Sequence, residues 1–251
     1  MRLRARGRRK SDARSVKRAR IASGLLCAAA LLPGAAPALA QVQASFSAAV
    51  VSDYRYRGVS LSAQRPAVQA FLNLDHASGA YAGASLARVR LRYPSTGLQA
   101  TAYAGFARRL GAGASVDAGI SATAFGGAER YNYRELYGGL GVERASARIS
   151  VSPHYFGVGG RTVYAEMNGS FALSDALDLV GHAGYLRALG QAEPGYYPTP
   201  SRADLRIALS LAHGDWTVQL AWDATRERVK LYPGALESSA RRFVLSSARA
   251  F

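Results

Sequence analysis

The sequence predicts an all-β fold, a transmembrane antiparallel up-and-down β-barrel of about twelve strands. Three observations predict it: an export-type leader at the start, apolar/polar alternation through the remainder, and a final alternating segment that ends on Phe251. In such a barrel the last strand pairs with the first and removes the open edge. The terminal aromatic then sits at the membrane interface and serves as the anchor of an assembly signal.

The leader comes first. Residues 1–20 carry ten Arg and Lys but a single acid, Asp12, and an apolar run follows from Ile21 to Leu32. Pro33 and Gly34 break that run, and Ala38-Leu39-Ala40 places small residues before Gln41. This is the pattern of a secretory signal peptide cut between Ala40 and Gln41. The apolar run is shorter than the roughly 20 residues a membrane-crossing helix needs. The division is therefore 1–40 signal segment and 41–251 single barrel domain, reached by Sec-type export.

Removing the leader changes the charge argument. The formal charge of +16 falls to +7, with 22 basic residues against 15 acids in 41–251. The basic excess belongs largely to targeting, so nucleic acid is not an expected partner. Cys27, the single cysteine, leaves as well, which excludes a disulfide scaffold or a thiolate site. The histidines at 76, 154, 182 and 213 lack metal-ligand spacing. No metal or cofactor is expected.

The strands follow from alternation, which puts successive side chains on opposite faces. Segments of suitable length run over 43–56, 66–76, 80–90, 97–108, 114–124, 133–144, 146–156, 161–173, 176–187, 202–212, 215–225 and 241–251. The connections at 77–79, 109–113, near 145, at 174–175 and at 213–214 are short, whereas the alternate set is generally longer. Tight periplasmic turns alternating with longer outer loops distinguish a membrane barrel from a soluble sandwich. Both termini are then periplasmic.

The two faces follow from the same alternation. Leu140, Val151, Val163, Leu209, Leu220 and Trp222 are expected to face lipid. Glu135, Glu143, Arg148, His154, Glu166, Asn168, His182, Arg206, Gln219 and Asp223 are expected to line the lumen. In the first segment Asp53, Arg55 and Arg57 share the inward face, and Tyr54 and Tyr56 are expected in the outer aromatic girdle. Those charges either close a structural network at the rim or form an eyelet that selects solutes.

A family resemblance rests on several segments. Val51-Ser52-Asp53-Tyr54-Arg55-Tyr56-Arg57-Gly58-Val59-Ser60, followed by Arg65-Pro66-Ala67-Val68-Gln69, resembles the amino-terminal hallmark of the TorF family, also catalogued as Gcw-chp. Ser78 to Gly83, Tyr131 to Tyr137, Asp204 to Asp223 and Phe251 resemble its later motifs. The resemblance implies a porin-like channel of the bacterial outer membrane that passes small solutes or ions. Its surroundings would be outer-membrane lipid and lipopolysaccharide, and its folding partner the barrel assembly machinery. One departure is Arg249, in register with Phe243 and Phe251 where apolar residues are expected.

Two other functions fit the same architecture. A barrel enzyme acting on lipid would use Ser152 and His154, with Asn168 or Glu166 nearby. A structural or adhesive barrel would carry a plugged lumen. The mixed signs of the inward residues predict only a weak anion preference. Basic residues expected in connections (Arg65, Arg109, Arg130 and Arg161) would bind lipopolysaccharide or draw anions to the mouth.

Overall fold

The computed structural model describes residues 42–91, 96–111, 113–157, 160–189, 201–227 and 239–251. The leader and its Ala40–Gln41 junction lie outside them. Twelve antiparallel strands form a closed ring: β1 (Val42–Val51), β4 (Ala67–His76), β5 (Ala80–Arg90), β6 (Thr96–Arg109), β7 (Ser115–Phe125), β8 (Tyr133–Gly141), β9 (Ala145–Ser152), β10 (Arg161–Ala172), β11 (Leu177–Leu189), β12 (Ser201–His213), β13 (Trp216–Glu227) and β14 (Ser239–Ala250). A small hairpin, β2 (Arg55–Tyr56) and β3 (Val59–Ser60), stands apart from that sheet. A short 3-10 turn covers Glu129–Tyr131 before β8.

Every strand pairs with its sequence neighbour in the ring, and β1 closes the sheet by pairing with both β4 and β14. Ser47 lies opposite Ala250 and Val51 opposite Ser246. Closure leaves no strand edge to recruit another chain. Phe251 extends the seam: its amide donates to the Phe46 carbonyl at 2.9 Å, and the two rings lie 5.3 Å apart.

The faces separate along each strand. In β8, Tyr133, Glu135 and Tyr137 are buried while Arg134, Leu136 and Gly138 are exposed. In β12, Leu205, Ile207, Leu209 and Leu211 are exposed but Ala208 between them is buried. The large exposed side chains around the ring include Phe46, Phe106, Ile120, Met167, Phe171, Leu220 and Phe243. A water-soluble protein rarely exposes so continuous an apolar surface. Conversely, Asp75, Asp117, Glu135, Glu166, Asp178, Asp204, Asp223 and Glu227 all fall on the inward set of their strands. The barrel is apolar outside and ionic inside.

Arg249 keeps its outward register. Its guanidinium lies 5.6 Å from the Trp216 ring centroid and 4.9 Å from that of Phe251. Aromatic faces receive a cation where an aliphatic neighbour would not, and the long stem lets the charge reach the interface. The departure from an apolar pattern is thus accommodated by the girdle itself.

Candidate channel interior

The first strand is shorter than alternation predicts. It stops at Val51, and residues 53–62 turn into the barrel instead of continuing along the wall, while 63–66 return exposed to β4. Tyr56 pairs with Val59 across a two-residue loop, Arg57-Gly58, in which both residues have positive φ (47° and 75°). That geometry is the one favoured by tight hairpins, and glycine adopts it without Cβ strain. The amphipathic run Asp53 to Arg57 reads as a strand extension because a hairpin alternates with the same period. Tyr54 and Tyr56 consequently pack inside the barrel and do not join the outer girdle.

The inserted segment is held from several sides. Asp53 accepts hydrogen bonds from Arg55 Nη1 at 3.0 Å, from Ser60 Oγ and from Ser62 Oγ at 3.1 Å. The Leu61 carbonyl accepts from the Arg90 amide at 2.7 Å, tying the hairpin to the end of β5. At its tip, the Gly58 carbonyl accepts from Arg55 Nη2 (2.8 Å), Arg202 Nη1 (3.2 Å) and Thr225 Oγ1 (2.9 Å). A Cβ on Gly58 would meet Thr225 and Asp204 at 2.7–2.9 Å. The hairpin tip therefore docks on β12 and β13, three and two strands round the ring from β1.

Arg57 is the central cation of this segment. It makes a forked pair with Glu135 of β8, Nη1 to Oε1 at 2.7 Å and Nη2 to Oε2 at 2.9 Å. Its guanidinium also lies 4.1 Å from the Tyr164 ring and 5.1 Å from those of Tyr56 and Tyr155. Burial lowers the Arg57 pKa, but the Glu135 carboxylate together with Tyr56 and Tyr155 outweighs that effect and the net shift is upward. Burial raises the Tyr54 and Tyr56 hydroxyls, which stay protonated. Around the pair, Val59, Leu61, Val89, Phe125, Phe156 and Leu186 form a buried apolar cluster at the end of the barrel that carries the longer connections. These side chains narrow that half of the lumen.

Beyond the cluster the inward face is polar and runs from buried (Asp204, Asp223) to half-exposed (Tyr81, Glu166, His182). On one wall, Tyr81 Oη donates to Asp117 at 2.8 Å and contacts Tyr137 Oη at 2.9 Å, while Arg148 reaches Asp117 at 3.0 Å. Arg148 also stacks over Tyr137 at 4.6 Å. On the facing wall, His182 contacts Asp204 at 2.9 Å and Asn168 at 2.7 Å, with Glu166 at 4.0 Å. Tyr164 Oη donates to Asp204 at 3.3 Å. A forked pair joins Arg206 to Asp223 at 2.7 and 2.8 Å, and Arg55 approaches Asp223 at 3.8 Å. The hairpin and the wall thus share one ionic chain.

The interior tyrosines lie flat along the wall. A side chain on Gly119 would collide with Tyr137, and one on Gly184 with Tyr164 and Asp204. Glycine on the neighbouring strand makes the flat orientation sterically available.

The inward strand set includes Glu135, Arg148, Glu166, Asn168, His182, Arg206, Gln219 and Asp223. The expected lipid-facing residues Leu140, Val151, Val163, Leu209, Leu220 and Trp222 fall on the opposite set. Asp53, Arg55 and Arg57 lie inside the barrel on the inserted hairpin and not on a wall strand. Two positions depart from the expectation altogether. Glu143 is exposed in the β8–β9 turn, where the Val142 amide bonds the Ala145 carbonyl at 2.8 Å. His154 is exposed beyond β9, which ends before Pro153, a residue with no amide proton to give a ladder. Ser152, by contrast, is fully buried on β9, so it and the exposed His154 occupy different environments.

Sequence reasoning missed Tyr81, Asp117, Tyr137, Tyr164, Asp204 and the buried Arg202–Glu227 pair at 3.0 Å. Their parity carried the signal. Asp204 and Arg206 alternate with Leu205 and Ile207, and Tyr81 shares its parity with Gly83 and Ser85. The partners across strands become visible only with the register. Among the described residues, no group of three or more His, Cys, Asp or Glu side chains is placed to hold a metal ion.

Solved structures share this architecture. The NanC porin matches at 12% identity and TM-score 0.50, covering 82% of this chain and 98% of that one. A structure from a study of in-meso crystallization of membrane proteins matches at 10% identity and TM-score 0.52, covering 82% and 83%. The COG4313 outer membrane channel from Pseudomonas putida F1 matches at 12% identity and TM-score 0.48, covering 82% and 95%. At these identities the likeness to the first two is one of fold. Among curated proteins, none matches. The model of the family described as "Bacterial protein of unknown function (Gcw_chp)" matches residues 35–251, nearly all of the barrel-bearing chain, and the protein belongs to that family.

Proposed function

We propose that this protein is a porin-like channel of the bacterial outer membrane that passes small solutes or ions by diffusion, with the 53–62 segment as its constriction. The observation that carries the reading is the inversion of polarity: an apolar exposed exterior encloses a wall of paired acids, arginines and tyrosine hydroxyls. Such a lumen holds water, and its polar liners set what enters. The half-exposed end forms a vestibule leading to the hairpin.

Mixed charge limits selectivity. Asp117 and Arg148, Arg206 and Asp223, and Arg57 and Glu135 largely neutralise one another. A weak anion preference fits the remaining basic excess. Liposomes containing the protein should swell in small neutral solutes such as glycerol and pentoses, and progressively less as solute size increases. Absence of swelling in every solute, with correctly inserted barrel, refutes diffusion.

A second reading has a specific observation in its favour. The buried aromatic and aliphatic cluster around the hairpin is what a permanently plugged structural barrel would contain. The two readings separate on whether weakening the hairpin's anchors changes a measurable flux.

A further inference from the structure

We propose that the outward face of β10–β14, at the end opposite the short turns, is a binding site for a phosphorylated glycolipid of the outer leaflet; this rests on the outer-membrane reading above. Four exposed arginines are spread over four of these five adjacent strands: Arg161, Arg187, Arg226 and Arg241. Each shares its strand face with lipid-side residues such as Met167, Leu189, Leu220 and Phe243.

The register groups them. Arg161 lies opposite Leu189, and Arg187 opposite Val163, so these two arginines are diagonal neighbours. Arg226 lies opposite Ser239 and Arg241 opposite Ala224, a second diagonal pair. Diagonal positions on one sheet face are roughly 7–8 Å apart, within reach of two long side chains converging on one anion. β12 bridges the pairs, with Ser201 opposite Arg187 and Ala203 opposite Arg226.

Among the described residues, nothing neutralises them. Every acid of β10–β14 lies on the inward set, and none of the four arginines makes a side-chain hydrogen bond or ion pair with a described residue. The inward Arg202 and Arg206, on the same sheet, are each paired with a carboxylate. A charge at the edge of a hydrocarbon layer is costly unless it reaches headgroups or a counter-ion. Paired guanidinium forks match phosphate geometry, which a zwitterionic headgroup's shielded phosphate matches less well.

A groove supplies the second half of the site. It has a volume of about 490 Å³ and is lined by Ala203, Leu205, Ala224, Arg226 and Arg241 together with the inward-set residues Asp204, Thr225 and Ala240, the Asp204 carboxylate being engaged by His182 and Tyr164. Small apolar residues beside two cations suit the upper acyl chain and phosphate of one lipid molecule. At the opposite rim the outward Arg249 is stacked on Trp216 and Phe251, and the outward Arg108 lies on β6, away from β10–β14.

The test uses the purified full barrel in detergent, recovered from outer-membrane fractions. Native mass spectrometry and thermal unfolding are measured with diphosphoryl lipid A, with the same lipid lacking both phosphates, and with inorganic phosphate. Retained adducts and a raised Tm are expected with diphosphoryl lipid A alone. Arg226→Gln/Arg241→Gln should weaken binding by about tenfold, the scale of lost charge-assisted contacts. Arg161→Gln/Arg187→Gln should weaken it similarly, and Arg108→Gln at the other rim should not. Equal binding of the dephosphorylated lipid, equal stabilisation by inorganic phosphate, or unchanged binding by both double variants overturns the proposal. Recovery of the barrel from the outer membrane with no lipid A shift overturns the lipid site alone. Its absence from that membrane overturns the outer-membrane reading and this proposal together.

Discussion

Arg57 and Glu135, 78 residues apart in the chain, form a forked ion pair inside the barrel, at 2.7 and 2.9 Å. The pair pins the tip of an inward hairpin to the wall, and both side chains are almost fully buried. Breaking one partner leaves an uncompensated buried charge, a loss of about 3–5 kcal/mol. Arg57→Ala should therefore loosen the hairpin and raise ion flux, while Arg57→Ala combined with Glu135→Ala should be less destabilising than either alone. A double-mutant cycle on heat-modifiability in detergent measures this. Strict additivity of the two single effects contradicts the pair.

Gly58 should tolerate no side chain. Its φ of 75° and the close approach of Thr225 and Asp204 leave room only for hydrogen. Gly58→Ala is expected to displace the tip at a cost of about 1–3 kcal/mol, the scale of backbone strain. Protease access at residues 54–62 should increase in the variant while the barrel stays folded. Unchanged protection argues against the docked tip.

The architecture was largely legible in the chain. Twelve strands, their parity and the alternation of short and long connections follow from side-chain period and turn composition. The failures share a physical cause. Alternation continues through a tight turn and through a hairpin, so residues 52–56, Glu143 and His154 kept the strand pattern after the strand had ended. Gly58 and Pro153 were the local signals of those endings. Cross-strand partners such as Tyr81 with Asp117 depend on register and side-chain reach, which one sequence does not encode in a readable form.

The lipid face gives a direct register test. Leu220 is exposed on the exterior, and its neighbour Gln219 is on the inward set. Leu220→Arg should destabilise the inserted barrel by about 2–4 kcal/mol, and Gln219→Arg much less. Urea or guanidinium unfolding from liposomes reads the difference. Equal losses mean that the two faces are exchanged.

Phe251 should matter to assembly through its ring. It packs at a tilt against Phe46 and supports Arg249 at the seam where the first and last strands meet. Phe251→Ala is expected to remove about 0.5–1.5 kcal/mol of aromatic contact and to lower the heat-modifiable fraction in membranes. Phe251→Tyr should retain most of it. Full insertion of the alanine variant assigns the ring no part in assembly.

Single-channel conductance in planar bilayers tests the central claim, that the barrel is a channel narrowed by its own hairpin. The comparison is the wild-type protein against a variant in which 54–61 are replaced by a short Gly-Ser linker, both verified as folded by heat-modifiability. The account predicts small, discrete steps for the wild type and several-fold larger steps for the variant. It also predicts a weak anion preference that fades near 1 M salt, where screening shortens to about 3 Å. Folded protein with no conductance in either form, or with identical steps in both, contradicts it.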